Sequence, residues 1–264
     1  MKPAKFAYSR AVHGNAGIAA LYRKRLDALI AEMHRSVLSE LRTAYAPPAH
    51  LAQDAKPSLK GLRKRMQQLW DRWIARFDEH APKIAEAYVR STFKATDSAM
   101  RQALKDAGWT VKFEMTPAMR EMYDATLTEN VALIKSIPAE YLQQVEGIAM
   151  RSFTAGHDRG AMTQALKALY PKASHRAALI SRDQTNKANG VVIRTRRLEL
   201  GITEAIWMHS HAGKVPRPTH VAMNGKPFKV AEGMWDSAEQ RMIQPGELIN
   251  CRCTSRSVLP FSVG

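Results

Sequence analysis

Ala178-Leu179-Ile180-Ser181-Arg182-Asp183-Gln184-Thr185-Asn186-Lys187-Ala188-Asn189 is the polar-rich centre of a longer run that reaches Leu200-Gly201. Apolar Ala178, Leu179, Val191, Val192 and Leu198 give this run one helix face, and the spacing predicts a helix over about 174–200. Gly201 suits the left-handed position just past a helix end. Beyond it the pattern changes. Thr203-Glu204-Ala205-Ile206-Trp207-Met208 is strand-like, Asn224-Gly225 before Lys226-Pro227-Phe228-Lys229-Val230 is a hairpin signal, and Ile249–Leu259 is extended. One glycine thus divides a helical chain from a small β-rich unit.

The same logic extends toward the N-terminus. Ile18, Leu21, Tyr22, Leu26, Leu29, Ile30, Met33, Val37 and Leu41 recur at three and four, which predicts a helix over 17–45 stopped by Pro47-Pro48. Residues 46–57 are a Pro/Ala-rich linker, and Ser58 caps a second helix that ends near His80. Its stripe of Leu62, Met66, Leu69, Trp70, Trp73, Ile74 and Phe77 reads as helix–helix core. Pro82 starts a third helix that ends near Gly108, and residues 109–115 alternate as a short extended segment. Thr116-Pro117 caps a helix to about Ser136; Ile137-Pro138 breaks it and starts another to about Ala155. A brief helix over 161–169 is closed by Pro171. The fold class expected is mainly α, an extended helical body with a small α+β C-terminal unit built around short antiparallel strands. The division expected is a helical region at 1–110 and a second domain at 111–264, helical to about 200 and β-rich from 201. The segments 46–57 and 109–116 are the candidate hinges.

Charge narrows the partners. Forty Lys and Arg stand against 24 Asp and Glu, a net of +16 in 264 residues. Such a field favours phosphate-rich or acidic partners, nucleic acid above all. The candidate contacts are Arg63, Lys64 and Arg65 in one cluster, and Arg194, Arg196 and Arg197 in another. No helix-turn-helix or zinc-finger signature is present, so DNA contact is expected to be non-specific. No apolar run approaches a membrane span, and no apolar h-region follows the basic N-terminus, so neither membrane nor secretory signal is expected. Two cysteines without a disulfide framework fit a reducing cytoplasm.

Those two cysteines carry the chemistry. Cys251 and Cys253 lie near Trp207-Met208-His209-Ser210-His211 and Arg217-Pro218-Thr219-His220 in sequence. Cys and His are the ligands zinc prefers, and a structural site takes four. Cys251, Cys253 and His220 are the first candidates, with His209 or His211 as the fourth. A C-x-C pair is a weaker sign than C-x2-C. The other reading is two buried, inert cysteines on a β-strand, where alternation of side chains argues against a disulfide between them. A structural zinc is the one cofactor these residues suggest.

The second half resembles the phage minor head protein, or head morphogenesis, family that includes the F protein of phage Mu. The resemblance rests on an ordered set: Asn130-Val-Ala-Leu-Ile-Lys-Ser-Ile-Pro138, the Gly-centred loop at 156–160, Ala178–Asn189, Gly201 leading to Trp207, Arg217-Pro218-Thr219-His220, Asn224-Gly225, and Pro245-Gly246-Glu247-Leu248-Ile249-Asn250-Cys251-Arg252-Cys253. It covers about residues 115–260, and residues 1–110 are consistent with the variable helical N-terminal parts of such proteins. The family often has an acidic residue before the Arg-x-x-His; Ser210-His211-Ala212-Gly213-Lys214-Val215 has none, so any role of that carboxylate does not carry over. The resemblance implies a minor capsid protein of a tailed-phage head, located in the virion head interior and in host cytoplasm during assembly. The implied partners are the portal protein, the major capsid protein and packaged DNA. The implied role is binding, not enzymatic.

The matching residues Arg182, Asp183, Trp207, Arg217, His220 and Asn250 suit a buried network that ties the long helix to the β unit. Arg182 and Asp183 are consecutive on a helix, so one is expected to face the β unit and the other to face away. The rival reading gathers Arg182, Asp183, His220 and Asn224 into a metal-dependent His-Asn-His type nuclease site, with Asp236 and Glu239 the carboxylates nearby. A third reading is a plain non-specific DNA-binding protein.

Overall fold

Residues 7–45, 58–156, 158–211 and 215–259 are described by a computed structural model. The expected linker at 46–57 lies outside them. Helix α1, Ala16–Ala44, buries Tyr22, Leu26, Leu29, Ile30, Met33, Val37 and Leu41, as their spacing requires, while Leu21 points to solvent. Asn15 caps it by accepting from the Ile18 amide at 3.0 Å.

Two expected breaks do not occur. Helix α2 runs without interruption from Leu59 to Asp106 with Pro82 inside it, and α3 runs from Pro117 to Thr154 with Pro138 inside it. An interior proline removes one helical hydrogen bond and costs about 3 kcal/mol. Here the apolar face continues through each proline. Phe77, Ala81, Ala85, Tyr88 and Val89 are buried around the first, and Ile134, Ile137, Tyr141, Leu142 and Val145 around the second. Burial of several large side chains at about 1.5–3 kcal/mol each outweighs the lost bond. The caps stand where they are expected: Ser58 Oγ accepts from the Gly61 amide at 3.1 Å, and Thr116 Oγ1 from the Met119 amide at 3.2 Å. Helix α4, Arg159–Lys167, is capped by Asp158, and α5 spans Leu169–Glu199. Pro171 does not close the preceding helix; it sits in the first turn of α5, where no amide donor is needed.

The chain forms two units that do not follow the division at residue 110. One comprises Leu21–Glu86 and Glu129–Ile180; the other comprises Met1–Ala20, Ala87–Thr128 and Ser181–Gly264. The first is helical. Buried Tyr22 donates to Asn130 Oδ1 at 3.0 Å, the Tyr141 hydroxyl lies 2.6 Å from His34 Nδ1, and Tyr45 donates to the Ala149 carbonyl at 2.9 Å. Arg63 and Lys64 project to solvent from α2, Arg65 is half-buried, and none of the three has a carboxylate partner among the described residues.

The second unit combines helices with β-structure. Strands β1 (Ala7–Tyr8), β2 (Glu204–Met208), β3 (Pro227–Lys229) and β6 (Thr254–Leu259) form an antiparallel sheet in the order β1-β6-β2-β3. Trp207 stands opposite Ser255, and Ala205 opposite both Ser257 and Phe228. Strands β4 (Met234–Asp236) and β5 (Arg241–Ile243) form a separate hairpin. Asn224-Gly225 does not join two strands. It turns the chain from helix α6, Pro218–Met223, into β3, with Gly225 at φ 77° and its amide on the Trp207 carbonyl at 2.9 Å. Pro218 at the first helical position starts that short helix. Residues 109–115 pair with no strand; their alternation instead packs Trp109, Val111 and Phe113 against Met100, Leu104, Ile193, Ile202 and Leu259.

Within this unit the basic cluster on α5 proves to be split. Arg194 is exposed and donates to the Ala231 carbonyl at 2.8 Å. Arg196 is 2% exposed and Arg197 4% exposed, so neither is available to DNA. Arg196 grips both oxygens of Asp97 at 2.9 and 2.7 Å, reaches Glu199 Oε2 at 2.9 Å and the Glu114 carbonyl at 2.7 Å, and lies over the Phe113 ring. Arg197 donates to Ser257 Oγ at 2.9 Å, Ser255 Oγ at 2.6 Å and the Ser255 carbonyl at 3.0 Å, pinning β6 to α5. Burial pushes its guanidinium pKa down.

Two substitutions test this packing. Alanine for glycine inside a helix normally stabilises by about 1 kcal/mol. At Gly190 the added Cβ would meet the Pro245 carbonyl oxygen at 2.9 Å, so Gly190→Ala should destabilise, by about 1–3 kcal/mol in urea titration. Arg196→Lys keeps the charge but loses the two-pronged grip on Asp97. A loss of about 2–4 kcal/mol is expected, and a stability within about 0.5 kcal/mol of wild type would contradict the buried network.

Candidate metal centre

Three elements of the mixed unit converge on one imidazole. His220 lies on α6 and is 2% exposed. Its Nδ1 is 3.5 Å from Cys251 Sγ and 3.5 Å from Cys253 Sγ, and the three atoms lie within 4.8 Å of one another. Its other nitrogen, Nε2, is 3.3 Å from Asp236 Oδ2 at the end of β4, off the axis of a hydrogen bond. The Trp207 ring stands edge-on to the imidazole at 5.5 Å and to Phe228 at 5.9 Å, closing the site with apolar surface.

The cysteines are not on a strand. They precede β6 in an extended stretch that follows a tight turn at Asn250, whose φ is 62°. Residues two apart in extended backbone point to the same side. Alternation therefore brings both sulfurs together instead of separating them, and both thiols are free and buried. The Cys253 thiol, above all, holds the Cys251 thiol well below the ordinary range; sharing that proton and burial push Cys253 up.

Asp236 is buried, yet its negative charge is well supported. Burial pushes its carboxyl up, but the Ala238 amide at 2.8 Å, the Thr219 hydroxyl at 3.1 Å and the nearby His220 ring outweigh this and hold it below the usual range. Spacing along the chain presents Asp236 only as a nearby acid, whereas the fold sets it against a histidine that faces two cysteines. The missing signal is the β4–β5 hairpin, two three-residue strands too short to read.

His209 and His211 stand apart from the three. Their rings meet edge to face at 4.5 Å, and the His211 amide donates to His209 Nδ1 at 3.2 Å. Burial, with the charges of His211 and His220, lowers the His209 pKa. Part of the loop that follows, residues 212–214, lies outside the described residues.

Around the centre, polar groups fasten the cysteine segment to α5. Arg182 donates to Asn250 Oδ1 at 2.6 Å, and the Asn250 amide donates to Asp183 Oδ1 at 2.9 Å. The two consecutive helix residues therefore both reach the β unit. The long arginine arm and the short aspartate take the side chain and the backbone of a single left-handed residue. Asn186 donates to the Cys251 carbonyl at 3.0 Å, and Arg217 to the Ile249 carbonyl at 3.0 Å. The four residues of the rival nuclease reading have separate engagements: Arg182 and Asp183 with Asn250, His220 with the sulfurs, and Asn224 with the His209 amide at 2.9 Å.

These features fall inside a segment with known relatives. Residues 143–256 match the family described as phage Mu protein F like protein. A protein of Haemophilus influenzae (strain ATCC 51907 / DSM 11121 / KW20 / Rd), described as an uncharacterized protein, is 31% identical over 144 residues, which are 54% of this chain and 31% of that protein. The chain thus spans about a third of the length of the curated relative it matches. No solved structure matches. From residue 143 to residue 256, through α4, α5 and the sheet to β6, the chain is similar to the phage Mu protein F like family.

Proposed function

We propose that this chain is a minor capsid protein of a tailed phage, bound at or near the portal inside the head, where it assists assembly and the packaging or ejection of DNA. The observation that carries this reading is the phage Mu F-like match over 143–256. The reading is of a binding and scaffolding part without bond chemistry. Its support is that His220 turns Nδ1 to two sulfurs and Nε2 toward a carboxylate, which leaves neither nitrogen free to act as a general base. The portal and major capsid proteins are its protein partners, and it resides in the virion after assembly in host cytoplasm. Among the described residues no helix is long and apolar enough to cross a membrane.

Packaged DNA is the acidic neighbour that the net charge of +16 favours. Of the two basic clusters, the one at 63–65 presents Arg63 and Lys64 to solvent beside a half-buried Arg65, with charge free to meet phosphate, whereas Arg196 and Arg197 are consumed within their own unit. Non-specific DNA affinity should fall steeply with salt. Replacing Arg63, Lys64 and Arg65 together by glutamine should reduce the salt slope by about 1 for each phosphate that is no longer neutralised. An unchanged slope would remove this cluster from the DNA-facing surface. The role itself is tested by quantitative mass spectrometry of purified virions and of proheads that lack DNA. A few to tens of copies per particle (on the order of 10) in both is expected for a low-copy part installed before packaging; absence from both would overturn the reading.

A further inference from the structure

We propose that His220, Cys251 and Cys253 bind one zinc ion, with Asp236 holding the histidine in the tautomer that coordination needs. The site stands on side-chain geometry and does not rest on the role in the phage head.

Zinc takes thiolate sulfur at about 2.3 Å and imidazole nitrogen at about 2.0–2.1 Å in a tetrahedron. Those lengths place a nitrogen and a sulfur ligand about 3.6 Å apart along a tetrahedral edge. The two Nδ1–Sγ separations here are each 3.5 Å. A thiol–imidazole hydrogen bond has a similar length, but the single lone pair of Nδ1 cannot accept from two thiols at full strength, so two such approaches to one nitrogen suit a cation shared by the three atoms. The donors also face the correct way. Nδ1 turns toward both sulfurs and Nε2 toward Asp236 Oδ2 at 3.3 Å, so the ring proton belongs on Nε2 and the lone pair on Nδ1. Metal-binding histidines regularly pair their second nitrogen with a carboxylate, and Asp236 Oδ2 stands where a small turn of the ring would complete that bond. Nε2 has no other partner among the described residues, and the Asp236 carboxylate is kept ionised by Ala238 and Thr219.

Binding balances simply. Both thiols give up their protons to solvent, and two thiolates, one neutral imidazole and a divalent cation sum to no net charge. A neutral cluster suits a buried position in a chain of net charge +16. Three protein ligands leave the fourth position to a water molecule. His209 Nδ1 already accepts from the His211 amide, which leaves its proton on Nε2 and no lone pair for the metal. The ion would tie α6, the end of β4 and the segment before β6, three pieces held otherwise by a small core of Ala205, Trp207, Met223, Phe228, Val230 and Ile243. Small units of this kind gain folding free energy from a structural metal.

The test uses the full chain purified without chelator. Elemental analysis should find about one zinc per chain, and cobalt exchanged into the site should show the visible bands of tetrahedral coordination with a near-ultraviolet thiolate-to-cobalt band. Both cysteines should resist a thiol reagent until a chelator is added, and the melting temperature should fall on chelation. Cys251→Ser with Cys253→Ser should abolish the metal and the cobalt bands. A wild-type chain that takes up no zinc or cobalt on reconstitution would overturn the proposal without reference to any variant. So would two thiols freely reactive in the presence of excess zinc, or a double variant with unchanged metal content.

Discussion

Helix α5 buries a polar stripe, and the mixed unit is organised by the need to satisfy it. Ser181, Asp183, Gln184, Thr185, Asn189, Arg196 and Arg197 are all buried. A buried polar group without a partner costs about 1–3 kcal/mol, so each must be met by some other part of the chain. The N-terminal strand region answers at Val12, whose carbonyl takes both Asn189 Nδ2 at 3.1 Å and Thr254 Oγ1 at 2.8 Å. Helix α2 answers with Thr96 on Asn189 and Asp97 on Arg196. Strand β6 answers with Ser255 and Ser257 on Arg197. Segments that are remote in sequence are thus selected by hydrogen-bonding capacity as well as by apolar fit.

The cysteine segment is a product of the same helix. Arg182 and Asp183 fix Asn250, Asn186 fixes the Cys251 carbonyl, and the left-handed turn at Asn250 sets the direction from which both sulfurs approach His220. Asparagine tolerates positive φ better than other residues with a side chain. The helix therefore acts on the cluster indirectly, by placing the backbone that carries the two cysteines.

Charge divides along similar lines. The sequence offers two basic clusters of equal appearance, and the fold assigns them opposite uses. Arg196 and Arg197 serve internal hydrogen bonds, one with carboxylates and one with hydroxyls, while Arg63 and Lys64 remain exposed. Composition reports the sum of charge; only burial reports which charges are free to act on a partner.

Local physics makes much of this chain legible in its sequence. Spacing of apolar residues set α1 and the stripe on α2; Ser58 and Thr116 marked helix starts; Gly201, at φ 70°, marked the passage from helix to strand; Cys251, Cys253 and His220 stood out as soft ligands. These features depend on neighbours within a turn or two, which the sequence contains. What needed the tertiary structure was every outcome decided by competition between local preference and burial. Pro82 and Pro138 stay inside helices because apolar faces run through them, Asn224-Gly225 leaves a helix instead of joining two strands, and Asp236 comes to His220 through a hairpin too short to announce itself. A residue's propensity is its own property. The partner that outweighs it lies far along the chain, and only the fold brings the two together.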